Sequence, residues 1–126
     1  DANTPKALDD VNAVDEGGNP LLDEDGEQIV TLGLKSVWKN TIKQQAAGKL
    51  APTDWMVIKA SEVAAYTVPA DITTYRAAVR TASNTIEASI DGAADHTAFV
   101  ALFDTPVDAD GNPTGNAPIA NWPDEL

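Results

Sequence analysis

The stretch Asp71-Ile72-Thr73-Thr74-Tyr75-Arg76-Ala77-Ala78-Val79-Arg80-Thr81-Ala82-Ser83-Asn84-Thr85-Ile86-Glu87-Ala88-Ser89-Ile90-Asp91 decides the fold class. Ile72, Tyr75, Val79, Ala82, Ile86 and Ile90 follow one another at steps of three and four residues, the period of one helix face. Pro69 precedes the run, Asp71 is placed to cap it and Gly92 closes it. Working back along the chain, Leu34, Val37, Trp38, Thr41, Ile42 and Ala46 repeat the spacing, which predicts a helix over 34–50 that stops at Gly48 and Pro52. Its lysines 35, 39 and 43 form a row on the opposite face, suited to an acidic segment of the same or another chain. Between the two helices, residues 53–58 are too short for another helix, with Asp54 as a turn former and Trp55 as a core plug. Working forward, Asp95 reads as the N-cap of a short third helix ending at Phe103, with Phe99, Leu102 and Phe103 turned inward. The expectation is a mainly α fold: a small three-helix antiparallel bundle with an N-terminal β-hairpin-like arm and an extended C-terminal arm.

Charge divides the 126 residues into three parts. Residues 1–32 hold nine acids and one base, residues 33–103 six acids and seven bases, and residues 104–126 five acids and no base, for a net charge of −12. The expected domains are therefore an acidic arm over 1–32, a helical core over 33–103 and an acidic arm over 104–126. Six of the eight prolines lie in the arms. The phrase Val14-Asp15-Glu16-Gly17-Gly18-Asn19-Pro20 recurs as Val107-Asp108-Ala109-Asp110-Gly111-Asn112-Pro113, each copy suited to a tight turn. Asp23-Glu24-Asp25-Gly26 reads as a second turn leading into a strand over 28–32. Such arms bury too little apolar surface to order alone and are expected to contact other chains. The anchors would be Leu21, Leu22, Ile29, Val30 and Leu32 in the first arm, and Val107, Ile119 and Trp122 in the second.

The composition also narrows the chemistry. A chain of charge −12 repels phosphate, so no nucleic-acid partner is expected. No run approaches the ~20 apolar residues of a membrane span, so no membrane partner is expected either. Cysteine is absent and His96 is the single histidine, which leaves no thiolate site, no nucleophile turn and no acid–base pair. An EF-hand register with Gly26 at the sixth position puts Leu21 and Leu32 where ligands belong. The same test with Gly111 gives Pro106 and Ala117. No catalytic, metal or cofactor-binding residue is expected, and the reading is non-enzymatic. Residue 1 is Asp rather than Met, so the numbering starts after processing or within a longer chain; residues 1–20 show no signal-peptide pattern.

The order Leu50-Ala51-Pro52-Thr53-Asp54-Trp55, Val68-Pro69, Thr74-Tyr75-Arg76-Ala77-Ala78-Val79-Arg80 and a closing Trp122-Pro123 resembles the small helical module of the phage tail assembly chaperones. The module also occurs at the ends of tail-fibre and other virion proteins, and the likeness spans about residues 34–103 plus the Trp-Pro pair. It implies a structural component of a tailed-bacteriophage virion, in the tail or tail-fibre apparatus. The chain would be assembled in the host cytoplasm and would bind other virion proteins and copies of itself. The alternative is a tail or fibre assembly chaperone that dissociates. In physical terms Thr53 and Asp54 cap a turn that points Trp55 inward, where Tyr75, Val79 and Ile86 pack on it. Arg76 and Arg80 form a basic pair on the outer face, open to Asp54, Asp71 or an acidic arm and first choice for a subunit contact.

Overall fold

The computed structural model describes residues 6–126; residues 1–5, which begin the expected first arm, lie outside the described residues. The chain is mainly helical, with a two-strand antiparallel pair before the helices. In order come β1 (Val11–Asn12), β2 (Val30–Thr31), α1 (Leu34–Glu62), α2 (Ala70–Asp91), α3 (His96–Ala101) and a single 3-10 turn at Pro118–Ala120. Two compact units divide it, Asp1–Asn40 and Thr41–Leu126. The start of α1 thus falls in the first unit, and the C-terminal segment falls in the second with the rest of the helices.

The first unit is built from a turn used twice. At Asp15 the carboxylate Oδ1 accepts the N–H of Gly17 and of Asn19, at 2.8 and 2.9 Å. Asp23 accepts from Asp25 and Glu27 in the same way, both at 2.9 Å. The third copy, at Asp108 in the other unit, accepts from Asp110 and Asn112 at 2.9 and 3.0 Å. Each turn then needs a left-handed residue three positions after the aspartate, and Gly18, Gly26 and Gly111 stand there with φ of 82, 82 and 83°. The repeat seen in the sequence therefore has three members, of which Asp23-Glu24-Asp25-Gly26-Glu27 carries different flanks.

The two N-terminal turns and the β1–β2 pair meet at three residues spaced eight apart. Ala13 N–H donates to Ile29 O, Leu21 N–H to Ala13 O, and Ile29 N–H to Leu21 O, each at 2.9 Å. This closes a ring of three backbone hydrogen bonds from which three short ladders leave. The Gln28 side-chain amide sits against all three carbonyls, at 2.8, 3.0 and 2.8 Å. The junction orders its backbone polar groups without a core: Leu21, Leu22, Ile29, Val30 and Leu32 all remain exposed.

Segment 7–10 supplies the cap that α1 lacks in its own sequence. Leu34 and Lys35 donate to the carbonyls of Ala7 and Leu8 at 2.9 and 3.0 Å. Asp10 Oδ1 accepts from Gly33 N–H at 2.8 Å and from Ser36 Oγ at 2.7 Å. These bonds answer donors left open at a helix start. Gly33 has no room for a side chain, because a Cβ would run into Leu8 O and the Asp9 backbone.

In the second unit α1 and α2 run antiparallel, as the Lys43–Glu87 ion pair and the Arg76–Leu50 contact near their other ends require. On α1 the inward stripe is Ile42, Ala46, Lys49, Thr53, Met56 and Ala60, buried or half-buried. On α2 it is Ile72, Arg76, Val79, Ser83, Ile86 and Ile90, all buried. Both repeat at 4-3-4-3-4, the seam of side-by-side helices. Here the structure corrects the sequence expectation three times. First, α1 does not stop at Leu50 but continues through Gly48 and Pro52 to Glu62. Both residues are exposed, so the helical hydrogen bond that Pro52 cannot make to Gly48 is lost away from the buried stripe. Second, Trp55 is 53% exposed and takes no part in the core, while Val79 and Ile86 are buried and Tyr75 is half-buried. Third, the α2 stripe passes through Arg76 and Ser83 where apolarity alone had suggested Tyr75 and Ala82.

The remaining elements need less. Pro69 is the α2 N-cap without a side-chain bond, and Asp71 lies in the first turn, where its charge favours the helix dipole rather than capping it. Asp95 caps α3 as expected, accepting Ala98 N–H at 2.8 Å. Only Phe99 of the expected inward trio is buried; Phe103 is exposed with its ring 5.5 Å from that of Phe99, and Leu102 is half-buried. Ala117 and Ile119 are buried, and Ile119 N–H donates to Leu102 O at 3.0 Å.

Two outcomes test this description. Gly33→Ala forces the backbone of Leu8 and Asp9 away from the α1 start and should lower stability by ~1–3 kcal/mol in denaturant titration. A change under ~0.5 kcal/mol, the range of ordinary surface substitutions, would contradict the close approach. The Gly33 N–H, then the Ser36 hydroxyl, hold the Asp10 carboxyl below its usual range. The Asn19 N–H, then Gly17, do so for Asp15. Folded values below the unfolded ones mean stabilisation that is complete above the ordinary aspartate value of ~3.9 and is lost as pH falls through the lower folded values. Carboxyl NMR titration should place both midpoints below that value; midpoints at or above it would refute the assigned bonds.

Candidate functional site

Arg76 is the buried charged residue on which the two long helices meet. It is 6% exposed and belongs to the middle of the α2 stripe. Its Nη1 donates to Leu50 O at 2.9 Å and to Thr53 Oγ1 at 2.8 Å. The Thr53 hydroxyl in turn donates to Leu50 O at 3.1 Å, so its hydrogen and a lone pair are both engaged. Nη2 lies 2.9 Å from Asp54 Oδ1. One guanidinium thus grips a carbonyl, a hydroxyl and a carboxylate within a single turn of α1, immediately around Pro52. The planar fork of arginine suits this set; a lysine could not reach all three in the same geometry. Asp54 was one of the partners expected for Arg76, but Arg76 lies in the helix seam and not on an outer face, so it is not available as a subunit contact, while Asp54 stays half exposed at the edge of the seam. Arg80, one turn on, is exposed.

Beyond the clasp, the second half of α1 turns its larger apolar side chains outward. Trp55 and Ile58 are 53% and 59% exposed, and Val57 and Val63 are exposed as well. Tyr66, just past the helix, has its ring 6.3 Å from that of Trp55, and Lys59 Nζ stands 4.6 Å over the Tyr66 ring. The result is an aromatic and aliphatic surface with one cation fixed at its edge. Nothing in the core reading of Trp55 anticipated it. The signal was present all the same: Thr53, Met56 and Ala60 continue the inward period from Ile42, and Trp55 lies off it.

The other expected contact residues fall into two groups. Leu21, Leu22, Ile29, Val30, Leu32 and Val107 are exposed, Leu22 and Val107 at 56% each. Ile119 is buried and Trp122 half-buried within their own unit, with Lys49 Nζ 5.5 Å from the Trp122 ring. These two are used by the chain itself. Trp122 and Pro118 face Ala78, Ala82 and Ile86 across a shallow groove. His96 is half-buried at the start of α3 and borders an open hollow with Val100 and Asp104. Among the described residues no group of three or more His, Cys, Asp or Glu is placed to hold a metal ion, and no helix is long and apolar enough to cross a membrane. No family model, curated protein or solved structure matches the chain.

Arg76→Met keeps an unbranched apolar stem and removes the guanidinium with its donors. It should cost ~2–4 kcal/mol in urea unfolding, since hydrogen bonds to a buried charge are lost and Thr53 is left one partner short. Asp54→Asn should cost at most ~1 kcal/mol, because that carboxylate is half in water. An Arg76→Met protein within ~0.5 kcal/mol of the wild type would show that the clasp contributes nothing beyond an ordinary surface residue.

Proposed function

We propose that this chain is a non-enzymatic structural component of a tailed-phage particle, in the tail or tail-fibre apparatus, that works by protein–protein contact. One observation supports contact as its mode of action: sixteen large hydrophobic side chains are exposed against eleven hydrophobic residues buried, among the described residues. Single exposed apolar residues are ordinary, but here they gather at the three-ladder junction and on the second half of α1. A partner surface that covers them would gain the hydrophobic term this chain leaves unused. The acidic turns at Asp15 and Asp23, which belong to the junction itself, would steer a basic partner and make association there depend on salt. The phage setting is supported by the resemblance carried by Thr53-Asp54-Trp55 and Tyr75-Arg76…Arg80, whose members Thr53, Asp54 and Arg76 form one bonded set.

Quantitative mass spectrometry of purified particles and of the infected-cell lysate separates a resident component from a dissociable chaperone. A structural protein stays in the particle at a fixed ratio to the major tail protein. A chain abundant in the lysate and absent from the particle would overturn the structural reading in favour of the chaperone, and a chain found in neither would overturn both.

A further inference from the structure

We propose that α1 carries a second seam, through which two copies of this chain associate side by side with their α1 helices parallel. The inference rests on the reading of the chain as an interaction protein and names one of its partners. At 100° per residue, the inward stripe of α1 leaves a second stripe almost diametrically opposite: Gly48, Ala51, Trp55, Ile58 and Glu62, spaced 3-4-3-4. All five are exposed. The helix therefore repeats at heptad spacing on both sides, and α2 occupies only one of them. Gly48 and Ala51 let a second backbone come close, and Trp55, braced by Tyr66, offers the large rigid anchor that dominates small interfaces.

Charge selects the occupant and its direction. Asp54 and Lys59 flank the stripe on opposite rims. In a parallel pair, rim residues five apart meet across the interface. Asp54 of each copy then faces Lys59 of the other, two ion pairs by symmetry. An antiparallel pair would set Asp54 against Ser61 and Lys59 against Pro52, with no such gain. Both charges are already placed: Arg76 holds Asp54 by Oδ1 and leaves Oδ2 free of that bond, and the Tyr66 ring holds Lys59. Glu62 meets its own counterpart, but it is the last residue of α1, where water reaches it. The net charge of −12 per copy opposes approach, so association strengthens as salt screens it.

The test uses the full chain in sedimentation equilibrium over a concentration series at physiological ionic strength, with far-UV circular dichroism to verify the helices. Wild type should form a dimer. Trp55→Ala, at an exposed position, should keep the helix signal and weaken the dimer ~10-fold or more. Because the chain has no cysteine, Ala51→Cys reports direction cleanly. It should form a same-residue disulfide dimer under mild oxidation, whereas Ala88→Cys on the exposed side of α2 should not. A wild-type monomer throughout the series overturns the inference, as does a dimer indifferent to Trp55→Ala. A dimer in which Ala51→Cys fails to cross-link also overturns it, in favour of an antiparallel or remote contact. A monomer that is nonetheless recovered in particles would defeat this inference and leave the proposed function standing; a dimer absent from particles would do the reverse.

Discussion

The second unit depends on one guanidinium placed between two helices at the level of a proline. Without it the path of α1 beyond Leu50 has little to recommend it. Pro52 deletes a helical hydrogen bond, and the inward residues that follow are Thr53, Met56 and Ala60, a thin apolar offering beside Ile42 or Ile86. Arg76 changes this balance by binding Leu50 O, Thr53 Oγ1 and Asp54 together, across the proline. Burying an arginine is expensive, and the cost is met only because every contact is a charge-assisted bond in good geometry. The consequence reaches the surface. Once the helix continues in register, Trp55 and Ile58 must face away from α2. The exposed face is thus a product of the same bonds that close the seam.

The first unit solves the opposite problem, a short acidic segment in which Leu8 is the one buried hydrophobic side chain among the described residues. Its answer is local bonding: aspartates that gather backbone N–H groups, glycines that accept the left-handed turn, and a closed ring at Ala13, Leu21 and Ile29. Such bonds do not need burial, which is why order here coexists with exposed leucines and valines. The same economy appears where the carbonyls of Ala7 and Leu8 and the Asp10 carboxylate cap α1 in place of a residue adjoining the helix. An apolar surface presented by a firmly bonded backbone loses less conformational entropy on meeting a partner than a loose arm would.

Much of this was legible in the chain. The period from Ile72 to Ile90 gave α2 to within a residue, Asp95 marked α3, and the doubled Val-Asp-x-x-Gly-Asn-Pro phrase marked two of the three turns. A helix face traced through apolar residues only departs from the buried one in this chain. That rule carries α2 through Tyr75 and Ala82, although 3.6-residue geometry passes equally well through Arg76 and Ser83, and the polar pair took the core. The expected end of α1 at Leu50 had a different source, since a proline and a glycine four residues apart ordinarily stop a helix. Only a partner on α2, far along the sequence, compensates them, and no local pattern reveals a contact of that range. Trp55 followed from that error: a tryptophan in an assumed turn belongs inside, whereas on a continuing helix its position points out. The ring at Ala13, Leu21 and Ile29 escaped for a related reason, because its eight-residue spacing is visible only once both turns are known to fold alike.

The dependence of α1 on Arg76 is tested most directly by native-state hydrogen exchange, comparing wild type with Arg76→Met residue by residue. If the clasp holds the helix beyond the proline, the variant loses protection selectively over residues 53–62. Amides near Ile42 and Ala46, and those of α2 from Val79 to Ile90, keep theirs relative to the global limit. Protection that falls evenly across both helices, or that stays unchanged over 53–62, would contradict it.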